Sequence, residues 1–131
     1  MASILKVDDL RGNTSAGNIT ITSEGGAATQ SLQQGLAKAW TRFVGTGTVT
    51  VNDSLNVSSI TDNGSGWYVH NYTNSFSSVN FSAMGTSNWN GVVTHDTPYA
   101  SDATTFLCRD SSSTSRSDRG VVTTSMHGDL A

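Results

Sequence analysis

Apolar and polar positions along this 131-residue chain follow two different rhythms. From Trp40 onward, short stretches alternate apolar and polar residues, the period-2 mark of strands with one buried face. Eight such strands are predicted, at Ala39–Val44, Thr48–Asn52, Leu55–Thr61, Gly66–Tyr72, Asn80–Met84, Val92–His95, Thr104–Arg109 and Val121–His127. Turn residues separate them, and their spacing fits an antiparallel β-sandwich or barrel. The clearest turn is Asp62-Asn63-Gly64-Ser65-Gly66, whose residues accept positive φ, so Asn56–Thr73 reads as one hairpin. In its second arm Trp67, Val69 and Asn71 alternate with Tyr68, His70 and Tyr72. One of these faces is expected in the core and the other against a neighbouring subunit or ligand, with Trp67 read as a core residue.

The first forty residues read differently. Ile4–Leu10 and Asn18–Thr22 read as strands around the turn-rich connector Arg11–Gly17, ended by Gly25-Gly26. One hairpin of this size is marginal in water, so it is expected to pair with other chains or a docking partner. From Thr29 to Trp40 the apolar spacing lengthens to four, with Leu32, Leu36 and Trp40 at i, i+4 and i+8. That spacing predicts a short helix, weakened by about 1 kcal/mol at Gly35 and dependent on tertiary or intersubunit contact. The expected division is therefore an N-terminal hairpin and short helix over 1–38, then an all-β, jelly-roll-like sandwich over 39–131.

Composition narrows the function classes. Charged residues make up 13% of the chain, against roughly a quarter in an ordinary soluble domain, while Ser, Thr, Asn and Gly supply 61 of the 131 residues. With seven Lys and Arg scattered among ten Asp and Glu, there is no basic stripe for a phosphate backbone, and nucleic-acid binding is not expected. No apolar run is long enough to cross a membrane, and Lys6, Asp8 and Asp9 interrupt the region where a signal peptide would need its apolar core. Synthesis and folding in a cytoplasm are expected. Leu, Ile, Val and Phe together number 26, a thin supply for a core of this size. Burial between subunits would make up the shortfall.

Catalytic signatures are few. His70, His95 and His127 stand apart in sequence and Cys108 is alone, so neither a zinc cluster nor an intrachain disulfide is expected. No nucleophile elbow, phosphate loop or EF-hand spacing occurs, and neither a catalytic site, a cofactor nor a metal is expected. His95-Asp96 reads as part of a polar loop before Pro98. The segment Ser87-Asn88-Trp89-Asn90-Gly91 places a tryptophan among amides and hydroxyls, with His95, Asp96 and Tyr99 close by in sequence. An aromatic face stacks on the weakly polar face of a pyranose while amides and carboxylates satisfy its hydroxyls. Asn88, Trp89, Asn90, His95, Asp96 and Tyr99 form the candidate binding patch, with Trp89 equally readable as a plug at the end of the sandwich.

Four stretches carry a resemblance: the opening Met1-Ala2-Ser3-Ile4-Leu5-Lys6-Val7-Asp8-Asp9-Leu10, the junction Ala37-Lys38-Ala39-Trp40 running to Phe43 and Gly45-Thr46-Gly47-Thr48-Val49, the hairpin Asn56–Gly66, and the closing His127-Gly128-Asp129-Leu130-Ala131. Together they resemble the tail-fibre and related virion-fibre proteins of marine tailed bacteriophages. The resemblance implies a homotrimeric, non-enzymatic fibre, made in the host cytoplasm and built into the virion. Its N-terminal segment would dock on other tail or virion proteins, through Ile4, Leu5, Val7 and Leu10, and Leu32, Leu36 and Trp40 would serve trimerisation. The C-terminal knob would meet a host-surface glycan or protein. Such proteins often carry a long shaft between opening and junction, where this chain has only Asn18–Gln34. A structural adaptor or decoration protein without host contact is the alternative, and a free-standing sugar-binding module or glycan-cleaving enzyme a third reading.

Overall fold

A computed structural model describes residues 4–15 and 19–131. Met1–Ser3 of the opening, and Ala16–Asn18 with the start of the expected second strand, lie outside the described residues. The chain forms two compact units, Met1–Leu36 and Ala37–Ala131. In the first, strands β1 (Thr20–Thr22) and β2 (Thr29–Ser31) pair antiparallel in the register Thr20↔Ser31, Ile21↔Gln30 and Thr22↔Thr29. Their turn closes through Ser23 N–H to the Ala28 carbonyl (2.8 Å) and Gly26 N–H to the Ser23 carbonyl (2.8 Å), with Gly26 at φ +72°. The single helical turn α1 (Leu32–Gly35) is capped by Ser31, whose hydroxyl accepts the Gln34 N–H at 3.4 Å.

Two expectations for this region are corrected. Ile4–Leu10 forms no strand: β1 takes its partner from Thr29–Ser31 instead, and Ile4, Leu5, Val7 and Leu10 stay exposed. The helix does not extend from Thr29 to Trp40. Thr29–Ser31 is drawn into β2, Gly35 ends the helix after one turn, and Leu36 beyond it is extended (φ −99°, ψ 143°). Leu32, Leu36 and Trp40 therefore share no helical face, because Trp40 belongs to the first strand of the second unit.

That unit is almost entirely β. Eight strands, β3 (Ala39–Val44), β4 (Thr50–Leu55), β5 (Val57–Asp62), β6 (Trp67–Tyr72), β7 (Ser82–Ser87), β8 (Gly91–Tyr99), β9 (Ala103–Asp110) and β10 (Val122–His127), follow the order β4-β3-β10-β7-β8-β9-β6-β5, every neighbour antiparallel. The run β10-β7-β8-β9 is a Greek key. Between β7 and β8 the register is a single pair, Thr86↔Val92, and there the sheet folds over into a sandwich-like arrangement. The rings of Phe43 on β3 and of Tyr68 and His70 on β6 meet across it, with centroids 5.0 and 5.4 Å apart. Asn56, at φ +56°, turns the corner between β4 and β5.

A chain short of large aliphatics builds its core from aromatics and threonine. Tyr72, Phe76, Phe81, Phe106, Ala39 and Met126 form one cluster, with Phe76 and Phe81 stacked at 4.1 Å. Phe43, Tyr68, Cys108 and Val122 form the other. His70 joins them, edge-on to Phe43 at 5.4 Å and to Phe106 at 4.8 Å. Each fully buried Phe contributes about 1.5–3 kcal/mol by leaving water. Tyr68, His70 and Tyr72 are thus the inward face of β6, and Trp67, expected in the core, faces outward. Arg116 covers its ring at 4.7 Å.

Candidate functional site

The six residues of the candidate patch do not stay together. Nine-residue β8 runs between Trp89 and Tyr99, separating them by roughly 25–30 Å at about 3.3 Å per residue. Tyr99 is a packing residue: its ring stacks on Phe81 at 4.4 Å, its hydroxyl donates to the Phe81 carbonyl, and burial raises its pKa. His95 and Asp96 lie on the strand and not in a loop, because β8 continues through a bulge between Asp96 and Tyr99 to keep pairing with β9. Both are exposed; the Asp96 carboxylate accepts the N–H of its neighbour Thr97 at 2.8 Å.

Asn88, Trp89 and Asn90 form the three-residue β7–β8 loop at the opposite end. The Asn88 N–H donates to the Val121 carbonyl (3.0 Å), and the Val121 N–H donates back to Asn88 Oδ1 (3.2 Å). The Asn90 carbonyl accepts from Ser111 N–H at 2.7 Å. Held on both sides, Trp89 sits at φ +58° with 87% of its surface exposed. Positive φ costs a residue with a Cβ about 1–2 kcal/mol, and bulky side chains rarely adopt it. Trp89 is therefore not a plug. It is a large aromatic held in water by a strained turn, and such strain concentrates at binding loops.

Behind the loop lies a feature the sequence reading did not single out. Arg119 is only 6% exposed, and one of its terminal nitrogens lies 3.5 Å from Asp110 Oδ2. Ser112 donates to Asp110 from its N–H (3.0 Å) and its hydroxyl (2.7 Å), and these bonds, followed by the guanidinium, lower the Asp110 pKa. Arg119 Nε and Ser87 Oγ are buried without a hydrogen-bond partner on either side of Gly91, where a Cβ would strike Ser87. The arrangement braces the loop root, since no side chain but that of glycine fits between the two. Arg119-Gly120 in a charge-poor chain was the only cue available.

Elsewhere the buried titratable side chains Tyr68, Cys108 and His70 are locked into packing. The Tyr68 hydroxyl lies 2.7 Å from Asp118 Oδ1 and 3.0 Å from the Gly45 carbonyl, and Gly66 N–H donates to the same Asp118 oxygen at 2.6 Å. Burial, then that carboxylate, raises the Tyr68 pKa. Burial likewise pushes the Cys108 thiol up to about 11, an unreactive state. His70 is fully buried, with Nε2 3.0 Å from Thr41 Oγ1 and 3.4 Å from Thr124 Oγ1, and desolvation lowers its pKa to about 3. Its Nδ1 has no partner, which favours the tautomer with the proton on Nε2, since a bare lone pair is less costly to bury than a bare N–H. None of these groups faces water from a cleft.

Among the described residues no three His, Cys, Asp or Glu side chains gather closely enough to hold a metal, and no helix is long and apolar enough to cross a membrane. No protein-family model, curated protein or solved structure matches the chain.

Proposed function

We propose that the chain is a virion-fibre protein of a tailed bacteriophage, a homotrimer that docks on the particle through its N-terminal segment. The Asn88-Trp89-Asn90 tip of its β-sandwich is then offered to a host-surface glycan. The observation that carries the glycan reading is Trp89, exposed over 87% of its surface and held there at φ +58° between two amide side chains. A sugar's C–H face stacks on such a ring, the amides exchange hydrogen bonds with its hydroxyls, and little charge has to be stripped of water. His95, Asp96 and Tyr99 drop out of the site. The virion reading rests on the resemblance of the opening, junction, hairpin and closing stretches. It is supported by Ile4, Leu5, Val7 and Leu10, apolar side chains exposed on a segment without secondary structure, as befits a segment that orders on a partner.

The test is adsorption of particles carrying Trp89→Ala. A ring stack of about 1.4 kcal/mol predicts about tenfold weaker adsorption with unchanged thermal unfolding of the isolated protein. Unchanged adsorption sinks the glycan reading and favours the adaptor or decoration protein, for which the same exposed N-terminal side chains would be the main contact.

A further inference from the structure

Of the seven basic side chains in the sequence, Arg109, Arg116 and Arg119 are crowded into one short segment. Arg119 meets Asp110, but Arg109 and Arg116 do not share that carboxylate. They stand opposite each other in an antiparallel bridge, and directly opposed residues project to the same side of a sheet. Val92 on β8 pairs with Arg109 from its other side, so Val92, Arg109 and Arg116 form one row. The row lies on the face opposite to Cys108, the preceding residue of β9, which is in the core. Neither arginine makes an ion pair among the described residues, and Arg109 Nε is buried without an acceptor. Arg116 is exposed, its guanidinium steadied over the Trp67 ring. The two carboxylates nearest in sequence are committed elsewhere: Asp110 accepts from Ser112 and faces Arg119, and Asp118 accepts from Gly66 N–H and the Tyr68 hydroxyl. Like charges set directly opposite destabilise a sheet, and a buried N–H without an acceptor adds to the cost. An anion between the two guanidiniums relieves both.

We infer that Arg109 and Arg116 together receive the carboxylate or sulfate of an acidic saccharide, another unit of which lies on Trp89. Guanidinium forks match such oxyanions through paired N–H···O bonds, and packing on Trp67 orders one fork in advance. The pair and the Trp89 loop are stitched together, since the Asn90 carbonyl accepts the N–H of Ser111, two residues beyond Arg109. Val92, in the row with both arginines, is three residues from Trp89, which bounds their Cα separation at about 11 Å. Between the arginines, Ser111–Ser115 carries a hydroxyl at every position, suited to the uncharged groups of a sugar. A phosphate backbone is a poorer occupant: it needs a track of cations, and this chain offers two guanidiniums here and a net charge of −3 overall. The inference rests on the glycan reading of the proposed function and deepens it by making that glycan acidic.

Affinity electrophoresis of the full chain through gels containing polygalacturonate, a sulfated galactan or neutral dextran tests it. Retardation by at least one charged polymer and not by dextran is expected, weakened by added salt, and which polymer acts tells carboxylate from sulfate. Arg109→Gln/Arg116→Gln weakens that binding by about tenfold or more without lowering the urea midpoint, because it removes a like-charge opposition. Arg116→Gln, at an exposed position, decides the matter alone if the double variant loses its circular-dichroism spectrum. Retardation by none of the three polymers, or retardation by a charged one that neither arginine variant moves, overturns the inference. Dextran binding as strong as the charged polymers', lowered by Trp89→Ala alone, overturns it and leaves the glycan reading intact. Charged-polymer binding lost in the arginine variants but untouched by Trp89→Ala overturns the glycan reading, and with it the shared site. Equal binding of single-stranded DNA, lost in the same arginine variants, makes the pair a phosphate site and overturns the saccharide assignment.

Discussion

Trp89 and Tyr99 flank the same strand, and the fold treats them in opposite ways. Tyr99 is stacked on Phe81 with its hydroxyl on the Phe81 carbonyl, while Trp89 stands in water on a backbone held at φ +58°. One end of β8 is thus closed by aromatic packing, and the other spends conformational strain to keep an aromatic free. In a chain with so few large apolar residues, leaving a tryptophan unburied is a sizeable sacrifice of core, of the order of 2–3 kcal/mol. The difference separates an aromatic that holds the domain together from one that the domain holds out.

The largest expected effect breaks the packed end. Tyr99→Ala removes a ring stacked on Phe81 and lowers unfolding free energy by about 3 kcal/mol, read by urea denaturation with an unchanged slope. The next effect probes the layer that joins the two core clusters. His70 is neutral in the fold, with its pKa lowered by burial from 6.5 to about 3. Between those values the unfolded chain binds a proton that the folded chain refuses. Stability therefore falls by about 1.4 kcal/mol per unit as pH drops from about 6.5 toward 3, and is fully present above 6.5. Unfolding free energies measured from pH 7 to 5 should show this slope in the parent, and a His70→Gln chain should lose that part of it. The smallest effect touches the strained end and has the opposite sign. Trp89→Gly accepts positive φ freely and raises stability by about 0.5–1 kcal/mol, seen as a higher urea midpoint. A loss of stability instead would mean that Trp89 packs, and the contrast with Tyr99 would collapse.

Strands with one buried face were readable because alternation is local. Ala39–Val44 occupies the expected residues, and the other seven strands fall within a few residues of their expected places. What alternation does not carry is pairing. Leu32, Leu36 and Trp40 keep a helical spacing, but hydrogen bonding of Ala39–Val44 to β4 and β10 captures Trp40, and Gly35 ends the helix one turn in. Ile4–Leu10 alternates about as well as a strand needs to, yet β1 pairs with Thr29–Ser31 and leaves it none. The candidate patch is spread out by the same route: Tyr99 is ten residues from Trp89 in sequence, which reads as near in a loop and is far along a strand. His95-Asp96 reads as part of a polar loop on its residue types, but β8 continues through both, and a bulge between Asp96 and Tyr99 keeps the strand paired with β9. Asp118 and Arg119 escaped notice because their partners, Tyr68 and Asp110, are set only by the tertiary fold.

The position of β10 between β3 and β7 has a consequence for biosynthesis. Phe43 pairs with Val122, so the seam that shelters the first strand of the sandwich is closed by one made 79 residues later. At roughly 5–20 residues per second a ribosome leaves β3 without that neighbour for several seconds. Trp40, Phe43 and Val44 must spend this interval as an open sheet edge, on a non-local topology of the kind that folds in milliseconds to seconds once complete. Among the paired edges of the sandwich this is the one that waits longest for its partner strand, and so the one most open to mispairing during synthesis.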